Sequence, residues 1–308
     1  MSHTHKPVML EEAMDALNLG PGLFVDATFG RGGYTQTMLK HKGVHVIAID
    51  QDPEAICWGT QHFGPDIEAG RLVLHQIRFS HMESILPQDK EVRGVVFDLG
   101  VSSPQLDNAE RGFSFLHDGP LDMRMDQNGP TAADFVNTAP AQDIARVLKV
   151  FGEEKLARRI ARAIEKQRNE KPFTRTRELA SFIEALYPPQ QKTKGKIHPA
   201  TRTFQAIRIH LNQEIRELEE GLQKAAQALV VGGRLVVISF HSLEDRVVKH
   251  VLRPECYETV SPYLPPRERA PGEVCFQGPK RVLKPSMDEC RDNPRSRSAR
   301  LRWGERIL

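Results

Sequence analysis

Phe24-Val25-Asp26-Ala27-Thr28-Phe29-Gly30-Arg31-Gly32-Gly33-Tyr34-Thr35 is the stretch on which the fold turns. Its apolar start predicts a short buried strand, ended by an acid, turned by glycines and followed by a helix through Met38 and Leu39. Gly30, Gly32 and Gly33 let the backbone turn sharply and lie close to a ligand with no Cβ in the way. The next apolar run, Val44-His45-Val46-Ile47-Ala48-Ile49, ends in Asp50, 20 residues after Gly30. A carboxylate at that spacing can accept hydrogen bonds from both hydroxyls of an adenosine ribose. Two ligands fit this much, a dinucleotide and S-adenosylmethionine. Thr35 stands where a dinucleotide fingerprint wants Gly or Ala for close helix packing. Asp26 places negative charge beside the loop, awkward for a pyrophosphate and suited to the cationic methionine end of the methyl donor. The residues favour the methyl donor.

Composition sets the outer bounds. The chain has 308 residues, enough for one large domain or two modest ones, and 39% hydrophobic with 27% charged residues is the mixture of a globular protein. No apolar run approaches the ~20 residues that span a bilayer, and no apolar signal core follows the first residues. A cytoplasmic protein is expected. Cys57, Cys256, Cys275 and Cys290 form no CxxC pair, so neither a zinc site nor a disulfide framework is indicated, and reduced thiols are expected. The net charge of +3 is ordinary as a total; its distribution is not.

Before the first strand, Leu10, Met14 and Leu17 share one helical face. Lys6-Pro7-Val8-Met9-Leu10 either lids a cofactor or covers a sheet edge. After Asp50, Asp52 and Pro53 read as N-cap and first turn of a helix. A third strand over 72–77 leads to Phe79, where a strand-end loop would face an adenine ring. The fourth, Val95-Val96-Phe97, ends in Asp98, and ligands of open parallel sheets lie outside such ends. Leu99-Gly100-Val101-Ser102-Ser103-Pro104-Gln105 follows. Enzymes that methylate exocyclic amines hold the amine here with an acid or amide and a proline, which Asp98, Ser103 and Pro104 match loosely; an Asx-turn closing a strand is the competing reading.

Beyond Gln105 the pattern changes to a run of helices. Between 155 and 168, Leu156, Ile160 and Ile164 make an apolar stripe opposite Arg158, Arg162 and Lys166. From 192 to 208 the chain carries Lys192, Lys194, Lys196, Arg202 and Arg208 with no acid. His198-Pro199-Ala200-Thr201-Arg202-Thr203-Phe204-Gln205 adds hydroxyls, an amide and an aromatic, a set suited to phosphate contact and base stacking. Nucleic acid is the expected partner. A helix over 207–230, a Gly232-Gly233 turn and an apolar run to Phe240 read as the return to strand five of the same sheet. His241 follows at the edge facing a target base, a candidate to orient it or relay a proton, or else a packing residue. The terminal strip with Arg295, Arg297, Arg300 and Arg302 reads as one arm of a hairpin, useful against phosphate. The organisation expected is a Rossmann-like α/β core at 1–107 and 204–308 with an all-helical insert at 108–203.

Five segments together carry a resemblance: residues 26–33, 98–107, 119–125, 198–205 and 239–245. In this order and nearly end to end they resemble the bacterial small-subunit ribosomal RNA methyltransferase H family. The resemblance implies a class I S-adenosylmethionine-dependent fold. It also implies N4-methylation of the cytosine at position 1402 of 16S rRNA, in the decoding centre of the small ribosomal subunit. It maps donor contacts onto Gly32, Gly33, Tyr34, Asp50, Phe79, Asp98 and Gln105; the family commonly has His where Tyr34 stands. Two other classes share part of the pattern. A nicotinamide dehydrogenase would use the first two strands without needing a basic insert. A noncatalytic ribosome-assembly factor would use the basic surface and keep a vestigial pocket.

Overall fold

The computed structural model describes residues 7–87, 91–188, 198–252, 274–279 and 281–308. They form two compact units, one of residues 1–100 and 215–308, the other of Val101–Glu214. The second unit is wider at both ends than the 108–203 segment expected from sequence.

The first unit is built on a seven-stranded sheet: β1 (Gly22–Asp26), β2 (Val44–Asp50), β3 (Leu72–Gln76), β4 (Val92–Asp98), β5 (Leu229–Ser239), β6 (Phe276–Gln277) and β7 (Arg300–Arg306). Their order is β3-β2-β1-β4-β5-β7-β6, parallel through β5 and antiparallel from β5 to β7 to β6. The inner strands are apolar almost throughout because both faces are covered. Phe24, Val46, Val96 and Val236 point into one buried cluster, and Val25, Ile47, Val95 and Val237 into the other. Strand order reverses between β1 and β4, the switch point at which open α/β sheets bind ligands. Asp26 ends β1 and Asp98 ends β4.

The second unit is helical. Its helices Ala141–Gly152, Ala157–Arg168, Thr176–Ala185 and Thr201–Leu211 bury Ile144, Leu148, Ile160, Ile164, Leu179, Ile183 and Ile207. On the Ala157–Arg168 helix, Arg158, Arg162 and Lys166 are exposed opposite the buried stripe, as the sequence spacing predicts.

Four local expectations are corrected. The single helix over 207–230 is two, Thr201–Leu211 and Glu214–Ala228, parted where Gln213 takes φ 53° and Asn212 bonds the Met123 carbonyl and the Met125 amide instead. β5 begins at Leu229, ahead of the Gly232-Gly233 pair. The C-terminal strip is a 3₁₀ turn, Pro294–Ser298, followed by β7, which pairs with β5 as well as with β6. Cys57 and Cys290 are free, but Cys275 is disulfide-bonded, against the expectation of reduced thiols throughout; Cys256 lies outside the described residues. Among the described residues no helix is long and apolar enough to cross a membrane.

Candidate active site

Three acids stand at the carboxyl ends of β1, β2 and β4, and the glycine loop closes over them. Gly30 and Gly32 take φ of 53° and 67°, in the left-handed region that a side chain disfavours. Gly32 also caps the Gly33–Leu39 helix, and a Cβ on Gly33 would come within 2.1 Å of the Pro7 ring. The N-terminal segment thus lies directly on the loop. The Met9 amide is tied to Glu289 Oε1 at 2.7 Å, and the Val8 carbonyl accepts the Tyr34 hydroxyl. The segment lies on the glycine loop, where the sequence offers a cofactor lid or the cover of a sheet edge.

Asp50 shapes the loop from below. Its two oxygens accept the Gly30 and Asp52 amides, each at 2.8 Å, while Asp52 caps the Pro53–His62 helix. A carboxylate oxygen can accept more than one hydrogen bond, so a ribose can share this group with the loop. Burial pushes its carboxyl up to about 6 despite those two amides. Asp26 is fully buried, accepts Thr35 Oγ1 at 2.7 Å and is likewise pushed up to about 6 by burial. Thr35, anomalous for a dinucleotide fingerprint, is therefore the hydroxyl that holds the β1 acid.

Asp98 is the most perturbed of the three. Burial first, then repulsion from Asp26 and Glu244, raise its carboxyl to about 8. Its Oδ1 is buried and has no hydrogen-bond partner among the described residues. The Tyr34 hydroxyl stands against the same carboxyl, and its own pKa is driven well above 10 by burial and by Asp98 and Asp26. That hydroxyl lies between the Val8 carbonyl and Asp98, and its hydrogen bond to the carboxyl lowers the acid's pKa against the larger effect of burial. An orphaned acceptor among like charges suits a cation with N–H groups. A sulfonium methyl donor with an α-ammonium fits that description; a pyrophosphate does not.

The other expected residues divide. Phe79 packs edge-on against Phe97, ring centroids 5.3 Å apart, and a Cβ on Gly221 would strike its ring at 2.4 Å, so half of it is core. His241 caps the Ser242–Val251 helix: Nδ1 accepts the Glu244 amide at 3.3 Å, while Glu244 reaches back to the Phe240 and His241 amides. Its Nε2 is buried, 3.1 Å from Glu244 Oε1 but without the alignment of a hydrogen bond. In the second unit, Ser103 and Gln105 are buried and Pro104 sits in the first turn of Ser103–Asp107, where Gln105 and Ser102 form a capping box. Arg202 is exposed, with a 3.5 Å contact to the Glu153 carbonyl. Arg208 is turned onto Glu214 through two 2.8 Å bonds, its side chain only 15% exposed, and serves as a structural ion pair rather than a free phosphate ligand. Lys192, Lys194 and Lys196 lie outside the described residues. Arg297 is exposed beside β7.

Sequence reasoning missed Glu244 and Glu289. Glu244 stands three residues after the cap His241, and with His in place of the usual Ser or Thr the capping-box pattern does not mark it. Glu289 reaches the site from the opposite end of the chain, and no local pattern announces it.

The MraW methylase family model matches residues 2–307. Relatives named "Ribosomal RNA small subunit methyltransferase H" include those of Idiomarina loihiensis, 48% identical over 99% of this chain and 98% of that protein, and Agrobacterium fabrum, 49% identical over 98% and 87%. That of Bartonella henselae is 49% identical over 98% and 86%. A match of this length, on a sheet whose switch-point acids suit a sulfonium donor, places the chain in the MraW methylase family as an S-adenosylmethionine-dependent methyltransferase.

Proposed function

We propose that this methyltransferase places a methyl group on the exocyclic N4 of a cytosine in 16S rRNA of the small ribosomal subunit, the residue at position 1402 in the decoding centre. The observation that carries the reading is near-full-length identity of 48–49% to proteins named for small-subunit ribosomal RNA methylation. A ribosomal substrate places the work in the cytoplasm.

S-adenosylmethionine supplies a methyl group on a cationic sulfur, electrophilic without further activation. The chain's residues then have four tasks. The Gly30–Tyr34 turn lets the donor approach the backbone, Asp50 holds the ribose hydroxyls, and Phe79 borders the adenine. Asp98, ionised once a cation stands beside it, accepts the donor's ammonium or the target amine and fixes the line of attack. Gln105, Ser103 and Pro104 enter this account through the family resemblance alone. His241 is held by Glu244 at the end of β5 and positions that strand-end loop.

Nitrogen rather than carbon is the acceptor because carbon-5 methylation needs a cysteine thiolate added to carbon 6. The strand-end loops at 99–105 and 241–245 contain no cysteine. Incubation with labelled donor and unmethylated small subunits, followed by nucleoside analysis, tests the proposal. Label in N4-methylcytidine supports it. Label in another nucleoside, or none transferred, contradicts it, and absence of transfer with retained subunit binding would favour an assembly factor.

A further inference from the structure

Beside the end of β5 the first unit holds a cavity of about 240 Å³. It is lined by His241 and Ser242 on one side and by Lys284, Arg297, Ser298 and Arg300 on the other. Ser239 pairs with Arg300 across β5 and β7, and Asp98 pairs with Ile238 across β4 and β5. The cavity therefore lies one strand beyond the acid that ends β4. Charge changes sign over that distance. Asp26, Asp50 and Asp98 line the carboxyl ends of β1, β2 and β4, while three cationic side chains gather at the cavity.

S-adenosylmethionine carries no phosphate, and its one anionic group is the α-carboxylate; a donor held there would lose affinity when Lys284 and Arg297 are removed, whereas an RNA phosphate would not move it. Arg300 is partly engaged, its Nη1 2.8 Å from Asp245 Oδ2, and Asp245 also holds Arg302 at 2.7 Å. Arg300 lines the cavity while holding that pairing. Lys284 and Arg297 are exposed. His241 lines the same wall, with its Nε2 against Glu244 Oε1 at 3.1 Å. Two hydroxyls, two guanidinium groups and an ammonium are the donor set with which proteins hold phosphodiester oxygens.

We infer that this cavity, through Lys284, Arg297 and Arg300, seats a backbone phosphate of the RNA strand next to the target nucleotide. The inference rests on the RNA substrate proposed above and adds a subsite to it. Seating a phosphate there fixes the register of the strand, so that one base and not its neighbour stands over Asp98.

The test compares the full-length wild type with Lys284→Ala, Arg297→Ala and the double variant. The readouts are kcat and KM for unmethylated small subunits across a range of salt, with donor affinity by calorimetry. If both side chains hold one phosphate, KM for subunits rises roughly tenfold in the double variant, as for a lost charge-assisted contact. The log–log salt slope should fall by about 0.7, the value for one contact to a single strand. The single variants should each show most of that fall, because they share a partner. Donor affinity and kcat should hold at wild-type values. Unchanged KM and slope in the double variant, with wild type methylating subunits normally, would overturn the cavity and leave the RNA reading intact. Independent, additive slope losses would overturn it too, since they mark two separate surface contacts. Protection of wild type by millimolar inorganic phosphate as strong as that by RNA would reassign the cavity to a free anion. No methyl transfer by wild type would instead strike the underlying substrate reading.

Discussion

Donor affinity should climb with pH because of Asp98. Its carboxyl, raised to about 8 by burial and by its acidic neighbours, is mostly protonated at pH 7 in the free protein. A cation bound beside it favours the ionised form, so binding expels the proton. Below pH ~8 the apparent affinity should therefore rise by about tenfold per pH unit, and level off above it. Asp26 and Asp50, both near 6, steepen the profile further only at the acid end. Asp98→Asn keeps the shape and hydrogen-bonding capacity but cannot ionise, so its affinity should match the low-pH wild type. Whatever titration belongs to the donor itself survives in the Asn variant, and the difference between the two profiles isolates Asp98. Calorimetry at pH 7 in two buffers of unlike ionisation enthalpy counts the protons, and about one should leave per donor bound to wild type, less in the variant. The same shift governs stability. Three carboxyls that hold protons more tightly folded than unfolded favour the folded state at low pH. That contribution is lost as pH rises from ~4 through ~8, and saturating donor should flatten the loss. Parallel wild-type and Asn profiles with equal proton release would refute the assignment of Asp98 as the donor's cation acceptor.

Asp50→Ala removes the ribose acceptor together with the brace on the Gly30 and Asp52 amides, and calorimetry should show donor affinity down by about one to two decades. Arg208→Ala strands the half-buried Glu214 carboxylate and should lower stability by about 3 kcal/mol in denaturant unfolding; an unshifted midpoint would show the pair to be idle. Arg202→Ala, on an exposed position, should leave the midpoint in place and reduce the salt slope of RNA binding by about 0.9 or less. Replacing all four cysteines should leave methyl transfer within about tenfold of wild type, ~1.4 kcal/mol in barrier, and substrate tritiated at cytosine carbon 5 should keep its label during turnover.

Much of the core was legible because buried parallel strands are written as apolar runs, and here β1, β2 and β4 each end in an acid. Glycines at 30, 32 and 33 are likewise local signals of a tight turn. What was not legible depends on residues far apart in sequence. The tie between Met9 and Glu289 spans nearly the whole chain, and the Tyr34 hydroxyl meets Val8 and Asp98 only once the sheet has closed. Arg208 reads as one more base in an acid-free stretch until Glu214 folds back onto it from beyond that stretch. β6, with two residues, is too short to show a period. The spacing of Asp50 from Gly30 points to a ligand, while its second task, holding the loop amides, follows from geometry alone.

The central claim is amine methylation of one ribosomal cytosine. It is tested most directly by incubating the protein with donor and small subunits lacking the modification, then weighing the rRNA fragment that spans position 1402. The account predicts one added methyl group on that fragment, released on digestion as N4-methylcytidine. A methyl group on another fragment, or recovered as 5-methylcytidine, would contradict it.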